Sequence, residues 1–448
     1  MTLRSLSLLA FLALAACERA PEPAPRPRPT PASAAPVAPV RVAPEIAAFY
    51  AARGNRPLWV TSAGPRPEAM AVAARIASAR FDGLDPQAYG ARALGRALAA
   101  AQGGDPTALA HAELLLSRAF TDYLRDLKAP RLNPMIQAEP DLGPAPRSPR
   151  VLLERLAAAP SLEAGVAGRL RMNPLYASLR RGAERWYRAH PKPEPRAAAL
   201  IRANLDRARA IPALAGRYLI VDTASARLWM IDGRRVDGPM RVIVGKPDMQ
   251  TPMLASRLRW VVLNPWWNMP PDLARERARK VLREGPGLIA QQRLEILSDW
   301  SDTARPIPAS AVDWGAVAEG RQSLRLRQRP GGANVMGAIK FMMANSLGIY
   351  LHDFPDKSLF EREDRRLSSG CVRLADAPRL ARWLFRGPAP AALGPAPEQR
   401  VDLPEAVPVY ITYLTMLPGG PEGLTFQPDT YGRDQGGSPG PERRAQED

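Results

Sequence analysis

The chain has 448 residues, enough for two or three domains with cores of their own. Its 62 Lys and Arg outweigh 44 Asp and Glu to give a formal charge of +18, a balance that favours anionic partners. The charge is spread along the chain and no nucleic-acid module is recognisable, so nucleic acid is not expected and a solvated basic surface is the plain reading. Three His and two Cys are too few to build a metal site, and no glycine-rich phosphate loop is present, so no cofactor is expected.

Residues 1–17 read as an export signal. Arg4 supplies the positive start, and Leu6 to Ala16 form an apolar run too short to span a bilayer. Leu14-Ala15-Ala16-Cys17 resembles the bacterial lipobox, in which Cys17 would become the lipidated first residue of the mature chain. An ordinary signal cleaved after Ala16 is the alternative. Glu18 stands where enterobacterial lipoproteins held at the inner membrane tend to carry Asp. The expectation is therefore a periplasmic chain, lipid-anchored at Cys17 to the outer membrane of a Gram-negative bacterium. No later run is apolar and long enough for a membrane-spanning helix. Residues 18–44, as in Pro29-Thr30-Pro31, form an extended tether that cannot bury a core.

A helical domain is expected over residues 45–214. Phe49-Tyr50 leads to Pro57-Leu58-Trp59-Val60, and a helix across Pro67–Arg80 stops at Asp82-Gly83-Leu84-Asp85-Pro86. Within Ala112–Leu127 the apolar Leu115, Leu116, Ala119, Phe120, Tyr123, Leu124 and Leu127 recur at helical spacing. Arg150–Ala158, Leu175–Ala189 and Arg196–Arg209 are further helices. His111 and His190 lie at helix edges without a carboxylate or Cys at ligand spacing, so both read as structural or solvated. Trp59 and Trp186 read as core.

At Arg217 the period changes from about 3.6 to 2. Tyr218–Val221 and Arg227–Ile231 are strands, and Asp232-Gly233 is expected to make a two-residue hairpin turn. Arg241–Val244, Trp260–Leu263, Leu324–Arg327, Ile339–Met342 and Ile349–His352 continue the same sheet, which points to an all-β sandwich or barrel over residues 215–435. Residues 270–321 interrupt it with a charged helix over Asp272–Glu284 and with Asp299-Trp300 and Asp313-Trp314 in loops. After Cys371, Asp376 caps a helix that buries Leu380, Trp383 and Leu384, and Val407–Thr412 is a last strand. Residues 436–448 read as a disordered tail.

The chemistry concentrates in Ile349-Tyr350-Leu351-His352-Asp353 and Leu367-Ser368-Ser369-Gly370-Cys371-Val372-Arg373. A strand ends in His352, and a Ser-Ser-Gly turn delivers Cys371, a base and a nucleophile sufficient for thiolate acyl transfer. Gly370 lets the backbone approach closely, so the N–H groups of Ser369, Gly370 and Cys371 are candidates for an oxyanion site. An inert buried thiol is the bland alternative. Arg373, two residues on, shares the nucleophile's face in an extended segment and suits a carboxylate; a surface ion pair is its alternative. Tyr350 shares the His352 face.

This pattern resembles the signature of the L,D-transpeptidases with a YkuD-type catalytic domain: a His at a strand end, a loop, then Ser/Thr-x-Gly-Cys-hydrophobic-Arg/Asn. Ser369 stands where the family most often has His. Val244–Pro247, Gln250-Thr251-Pro252 and Asn264–Pro270 match further family segments, and Pro57–Val60, Asp82–Pro86 and Met172–Tyr176 match the scaffold domain of the large periplasmic members. No peptidoglycan-binding module intervenes between that domain and the catalytic one. The resemblance implies a multidomain α+β chain: an all-α scaffold domain, then a mainly-β, sandwich- or barrel-like catalytic domain whose 270–321 insertion caps the active site. It also implies a peptidoglycan stem tetrapeptide as donor and the side-chain amine of a neighbouring stem as acceptor. Cys371 would be the nucleophile, His352 the general acid and base, and the Asp353 backbone carbonyl the orienter of His352. Arg373, Tyr350 and Ser368 complete the candidate substrate-binding set. A 3→3 crosslink through a thioester is the expected product. Carboxypeptidase, D-amino-acid exchange or lipoprotein–wall chemistry on the same acyl-enzyme, and a non-catalytic wall-binding lipoprotein, are the alternatives.

Overall fold

The computed structural model describes residues 40–131, 135–143 and 147–434. The export signal, Cys17, most of the tether and the 436–448 tail lie outside them. Among the described residues no helix is long and apolar enough to cross a membrane.

Eight α-helices make up the N-terminal part: α1 (Pro44–Ala52), α2 (Pro67–Ala77), α3 (Ala91–Ala100), α4 (Pro106–Lys128), α5 (Pro149–Ala157), α6 (Leu162–Leu170), α7 (Pro174–Ala189) and α8 (Pro195–Arg209). Six of them start on proline, whose missing N–H costs nothing in a first turn, so much of the proline is helix punctuation and not only linker. Side-chain oxygens of Asp105, Ser148, Ser161 and Asn173 cap α4, α5, α6 and α7. Helix α2 stops three residues before the expected Arg80, where a 3-10 turn over Ala79–Asp82 takes over. Helices α3 and α6, not expected from the sequence, bury only Leu94, Ala97 and Leu98, and Gly165 and Val166.

Two buried carboxylates tie this domain together. Glu113 of α4 accepts from the Tyr50 hydroxyl at 2.6 Å and from the backbone N–H groups of Leu58, Trp59 and Val60 at 2.6, 2.8 and 3.1 Å. It thereby supplies acceptors to the N–H groups that lead into the short strand Val60–Thr61. Trp59 stacks edge-on against Phe120 with centroids 5.4 Å apart. Asp82 is wholly buried and accepts from Arg75 (2.7 Å), Tyr123 (3.0 Å), Tyr176 (2.9 Å) and Arg180 (3.0 Å). Asn173 caps α7 and also donates to the carbonyls of Ala208 and Ile211 at 2.9 and 2.7 Å, locking α7 to the end of α8.

The second part is a closed barrel of eight strands: β1 (Arg217–Asp222), β2 (Arg227–Asp232), β3 (Arg235–Gly245), β4 (Leu254–Leu263), β5 (Ile339–Met343), β6 (Leu351–His352), β7 (Val372–Leu374) and β8 (Gln399–Thr412). Around the ring they run β5-β6-β7-β3-β2-β1-β8-β4, and β4 pairs back to β5. Closure leaves no open edge in this ring. The pairs β6–β7 and β1–β8 are parallel and the other six antiparallel. The hairpin between β2 and β3 pairs Asp232 with Arg235, so its turn is Gly233-Arg234, one residue later than expected, with Gly233 at φ +59°. Ile136–Gln137 from the helical part adds in parallel to β4, and Leu414, Met416 and Leu424 from beyond β8 enter the helical core.

The insertion is a small layer of its own. Trp267–Met269, Leu294–Leu297, Pro306–Ile307 and Arg325–Gln328 form a separate four-stranded sheet, under helices Pro271–Glu284, Gly287–Gln291 and Trp314–Glu319. This corrects two expectations. Leu324–Arg327 was expected in the main sheet, but alternation shows only that a strand has two faces, not which sheet receives it. Asp313-Trp314 is a helix start and not a loop, because the Asp313 carboxylate accepts from Ala316 N–H at 2.9 Å.

Glu113→Ala strands three backbone N–H groups and leaves the Tyr50 hydroxyl with Ser117 as its remaining partner, and should destabilise the protein by on the order of 3–5 kcal/mol. Urea denaturation checks this; a loss below about 1 kcal/mol would show that the Pro57–Val60 segment does not depend on Glu113.

Candidate active site

Strands β6 and β7 lie side by side in parallel, with Leu351 opposite Val372 and His352 opposite Arg373. The Val372 N–H donates to the Tyr350 carbonyl at 3.1 Å and extends that register toward the loops. Leu351 and Val372 are fully buried in the barrel core. Strand alternation therefore turns Tyr350 and His352 of one strand, and Cys371 and Arg373 of its neighbour, to the opposite face. Four side chains separated by up to 23 positions become a two-by-two patch. The Tyr350 and His352 rings are 5.8 Å apart. Lys340, paired with His352 from β5, holds its ammonium 4.8 Å from the Tyr350 ring centre, and the Arg373 guanidinium lies 4.3 Å from that of Phe354.

His352 is 2% exposed, and its Nδ1 lies 2.6 Å from the Asp353 backbone carbonyl. A carbonyl can only accept, so Nδ1 carries the hydrogen and Nε2 keeps a lone pair. The Asp353 carboxylate is occupied elsewhere, accepting from Ala338 N–H at 3.1 Å and from Lys357 at 2.7 Å. Burial, then the Arg373 charge, with Lys340 adding to it, pushes His352 down from its ordinary 6.5 to about 3, against the carbonyl that favours the cation. The imidazole is neutral at any pH near 7.

The loop bearing Cys371 is held from both sides. Ser368 accepts Lys246 N–H on its carbonyl at 2.9 Å. Its hydroxyl donates to the Cys371 carbonyl at 2.6 Å and accepts the Gly370 N–H at 3.1 Å. Ser368, expected in the substrate-binding set, is buried with its hydroxyl engaged inside the loop. The Gly370 N–H, an expected oxyanion donor, is held by that hydroxyl, whereas the Ser369 N–H makes no hydrogen bond among the described residues. Gly370 is needed for its backbone, at φ +115°. The Cys371 sulfur lies 3.6 Å from the Gly348 carbonyl.

Thr251, within the Gln250-Thr251-Pro252 segment, is the outer anchor of this loop. Its hydroxyl donates to the Gly370 carbonyl at 2.7 Å and accepts the Gly245 N–H at 2.9 Å. Gly245 must be glycine, since a Cβ there would sit 2.1 Å from the Met249 carbonyl. Behind Thr251, Arg433 donates to the Thr251 carbonyl at 3.1 Å and to Gln250 at 2.7 Å, and Tyr431 donates to the Gly245 carbonyl. Arg207 of α8, wholly buried, binds Asp434 at 2.7 Å, so the helical domain reaches the cysteine loop through the C-terminal segment. The pairings of Thr251 with Gly370, Arg433 with Thr251, Tyr431 with Gly245 and Arg207 with Asp434 each join residues more than a hundred positions apart. His190 donates from Nδ1 to the Trp186 carbonyl at 3.0 Å and stacks on that indole, while His111 sits within α4 away from this patch. Among the described residues no group of three His, Cys, Asp or Glu is placed to hold a metal ion.

An NMR titration of the imidazoles should show His352 neutral from pH 7 to below pH 5; a midpoint near 6.5 would overturn its assignment as a buried neutral base. Below about pH 6.5 the unfolded imidazole takes up a proton that the folded one refuses until about pH 3. The contribution of neutral His352 is therefore whole above pH 6.5 and declines as pH falls toward 3.

Residues 44–182 match the Scaffold domain family, and residues 216–402 match the L,D-transpeptidase catalytic domain family named YkuD. A Haemophilus influenzae protein named, provisionally, as an L,D-transpeptidase is 37% identical over 146 residues, which are 33% of this chain and 29% of that protein. The match thus spans less than a third of the curated relative. Among solved structures, an L,D-transpeptidase from Mycobacterium smegmatis covers 44% of this chain and 58% of its own at 13% identity and TM-score 0.21. Mycobacterium tuberculosis L,D-transpeptidase 1 covers 44% and 60% at 12% identity and TM-score 0.18. Such scores carry no weight; the two matched stretches do. The chain carries a YkuD-family L,D-transpeptidase catalytic domain over residues 216–402, behind a Scaffold domain at its N-terminus.

Proposed function

We propose that the protein is a peptidoglycan L,D-transpeptidase that forms 3→3 crosslinks through a thioester on Cys371. The observation that supports this most is the pairing of β6 with β7, which sets Cys371 beside a neutral, tautomerically fixed His352. In this reading Nε2 takes the thiol proton as sulfur attacks the carbonyl of the third residue of a donor tetrapeptide. The tetrahedral oxyanion is met by the N–H groups of Ser369 and Cys371. The imidazolium then returns its proton to the departing D-Ala amine, leaving the thioester. An acceptor stem's side-chain amine attacks next, loses its proton to Nε2 and gains the acyl group, while sulfur recovers a proton from His352.

A buried imidazolium beside Arg373 and Lys340 is unfavourable, so the proton stays on His352 only while sulfur is becoming bonded to carbon. The same two cations stabilise negative charge on sulfur and on a stem carboxylate. Arg373 suits the carboxylate, since its Nε is buried with no hydrogen-bond partner among the described residues. The export signal over residues 1–17 supports a periplasmic site of action, and Cys17 a lipid anchor.

Purified disaccharide-tetrapeptide incubated with the protein should give, by mass spectrometry, a dimer that has lost D-Ala. Cys371→Ala should abolish it with the fold intact. Crosslinking by that variant would end the proposal; tripeptide as sole product would reassign the enzyme to hydrolysis or exchange, and no product without a carbapenem adduct on Cys371 would leave only a wall-binding scaffold.

Thr251→Val breaks both hydrogen bonds that tie Gly370 to Gly245 and should lower kcat by roughly 10- to 100-fold with little change in KM. Thr251→Ser, which keeps the hydroxyl, should restore most of it. Full activity in the Val variant would show that the loop holds its shape without this anchor.

A further inference from the structure

Helices α4, α5 and α6 end around one cleft of about 370 Å³, far from the cysteine loop in sequence and closed on another side by Arg209–Ala213 after α8. Lys128, Arg147, Arg155, Arg169 and Arg171 line it. Among the described residues none of these five is paired with a carboxylate. Arg125 and Arg209 also line it, but each has Asp partners, Asp122 and Asp126 for the first and Asp206 for the second. The rest of the wall is largely apolar, including Leu124, Leu152, Met172 and Ile211.

Helix C-termini attract cations, and Lys128, Arg155 and Arg169 each sit in the last turn of a helix. Three helix ends supply about half a negative charge apiece, which falls well short of five full positive ones. Among the described residues the ammonium of Lys128 finds only the Arg171 carbonyl and the Met172 sulfur, the latter at 3.1 Å. Burial, then the charges of Arg169 and Arg171, pushes Lys128 down to about 8. Burial and then Arg155 and Arg147 lower Arg169 as well. The Arg169 Nε is buried with no acceptor among the described residues. Like charges gathered at an apolar wall raise the free energy of the empty cleft, and a dense anion would lower it.

We propose that this cleft of the helical domain binds a phosphate-bearing ligand. Phosphate fits better than a lone carboxylate, because it places several charged oxygens in a small volume and guanidinium forks engage it two hydrogen bonds at a time. Neither a substrate for Cys371 nor the transpeptidase reading is needed for this, so the two stand or fall separately.

The test is calorimetric titration of the purified protein with sodium pyrophosphate at constant ionic strength. The expected result is saturable binding at one site and a rise in Tm. Lys128→Gln combined with Arg169→Gln should weaken binding at least about tenfold and remove the rise in Tm. Relief of like-charge crowding means this double variant should be no less stable than the parent, so a folding defect would be visible as such. Arg234→Gln combined with Arg235→Gln, which removes the same charge from the β2–β3 hairpin, should bind pyrophosphate as the parent does. Equal weakening in both double variants, or no saturable binding in the parent, overturns the proposal. Vesicles of phosphatidylglycerol and of phosphatidylcholine then separate the sources. Cosedimentation with the former that needs Lys128 and Arg169 identifies a lipid headgroup, and pyrophosphate binding without it identifies a soluble phosphate.

Discussion

The site depends on one short parallel pairing. Strand β6 has two residues and β7 three, yet their register fixes which four side chains meet. A slip of one residue would send Cys371 and Arg373 into the barrel and bring Val372 out. What prevents the slip is the burial of Leu351, Val372 and Leu374 inside a ring with no loose edge. Closure of β4 on β5 is thus part of the chemistry, because an open sheet would let this short pair fray. The apolar inner face and the reactive outer face are two consequences of one alternation.

The second requirement is a loop that keeps its shape with little secondary structure. Ser368 and Thr251 divide that work. Ser368 closes the turn from within, and Thr251 ties its crest to the end of β3. The stacked Tyr413 and Tyr431 rings, 5.2 Å apart, and Arg433 over both, back the Thr251 segment. Arg207 then joins this stack to α8. The helical domain therefore supports the cysteine loop from behind, by a chain of side chains and not by a shared sheet alone.

How much of this was legible in the sequence follows from the range of each interaction. Periodicity marked α4 and β1 to β4, because an amphipathic stripe is a local property. The loop motif around Cys371 and the strand end at His352 were equally local. Assigning Arg325–Gln328 to a sheet was not, since its partners are Leu294–Leu297 and Trp267–Met269, on either side of a long excursion. The surroundings of Ser368 were hidden for a similar reason: a serine beside a lone cysteine reads as exposed, and only the folded turn shows that its hydroxyl reaches the Cys371 carbonyl. Thr251 stood in a recognisable string, but its partners in the cysteine loop, and the parts played by Tyr431 and Arg207, had no local signal. The short motifs of the helical part were visible as strings, but their purpose needed Glu113 and Asp82, carboxylates that look unremarkable in sequence and act as hubs once buried.

Electrostatics completes the account. A cysteine–histidine pair can rest as two ions or as two neutral groups, and the surroundings decide. Here burial and two neighbouring cations oppose the imidazolium, while the Asp353 carbonyl, a dipole without full charge, favours it only weakly. The Asp353 carboxylate would tip the balance if it faced the ring, but Lys357 and Ala338 hold it away. His352 therefore rests neutral, with its lone pair on Nε2. Arg373 and Lys340, which make the imidazolium costly, favour negative charge on sulfur and on any carboxylate beside it. The arrangement resists a proton on His352 at rest and tolerates one when negative charge lies nearby.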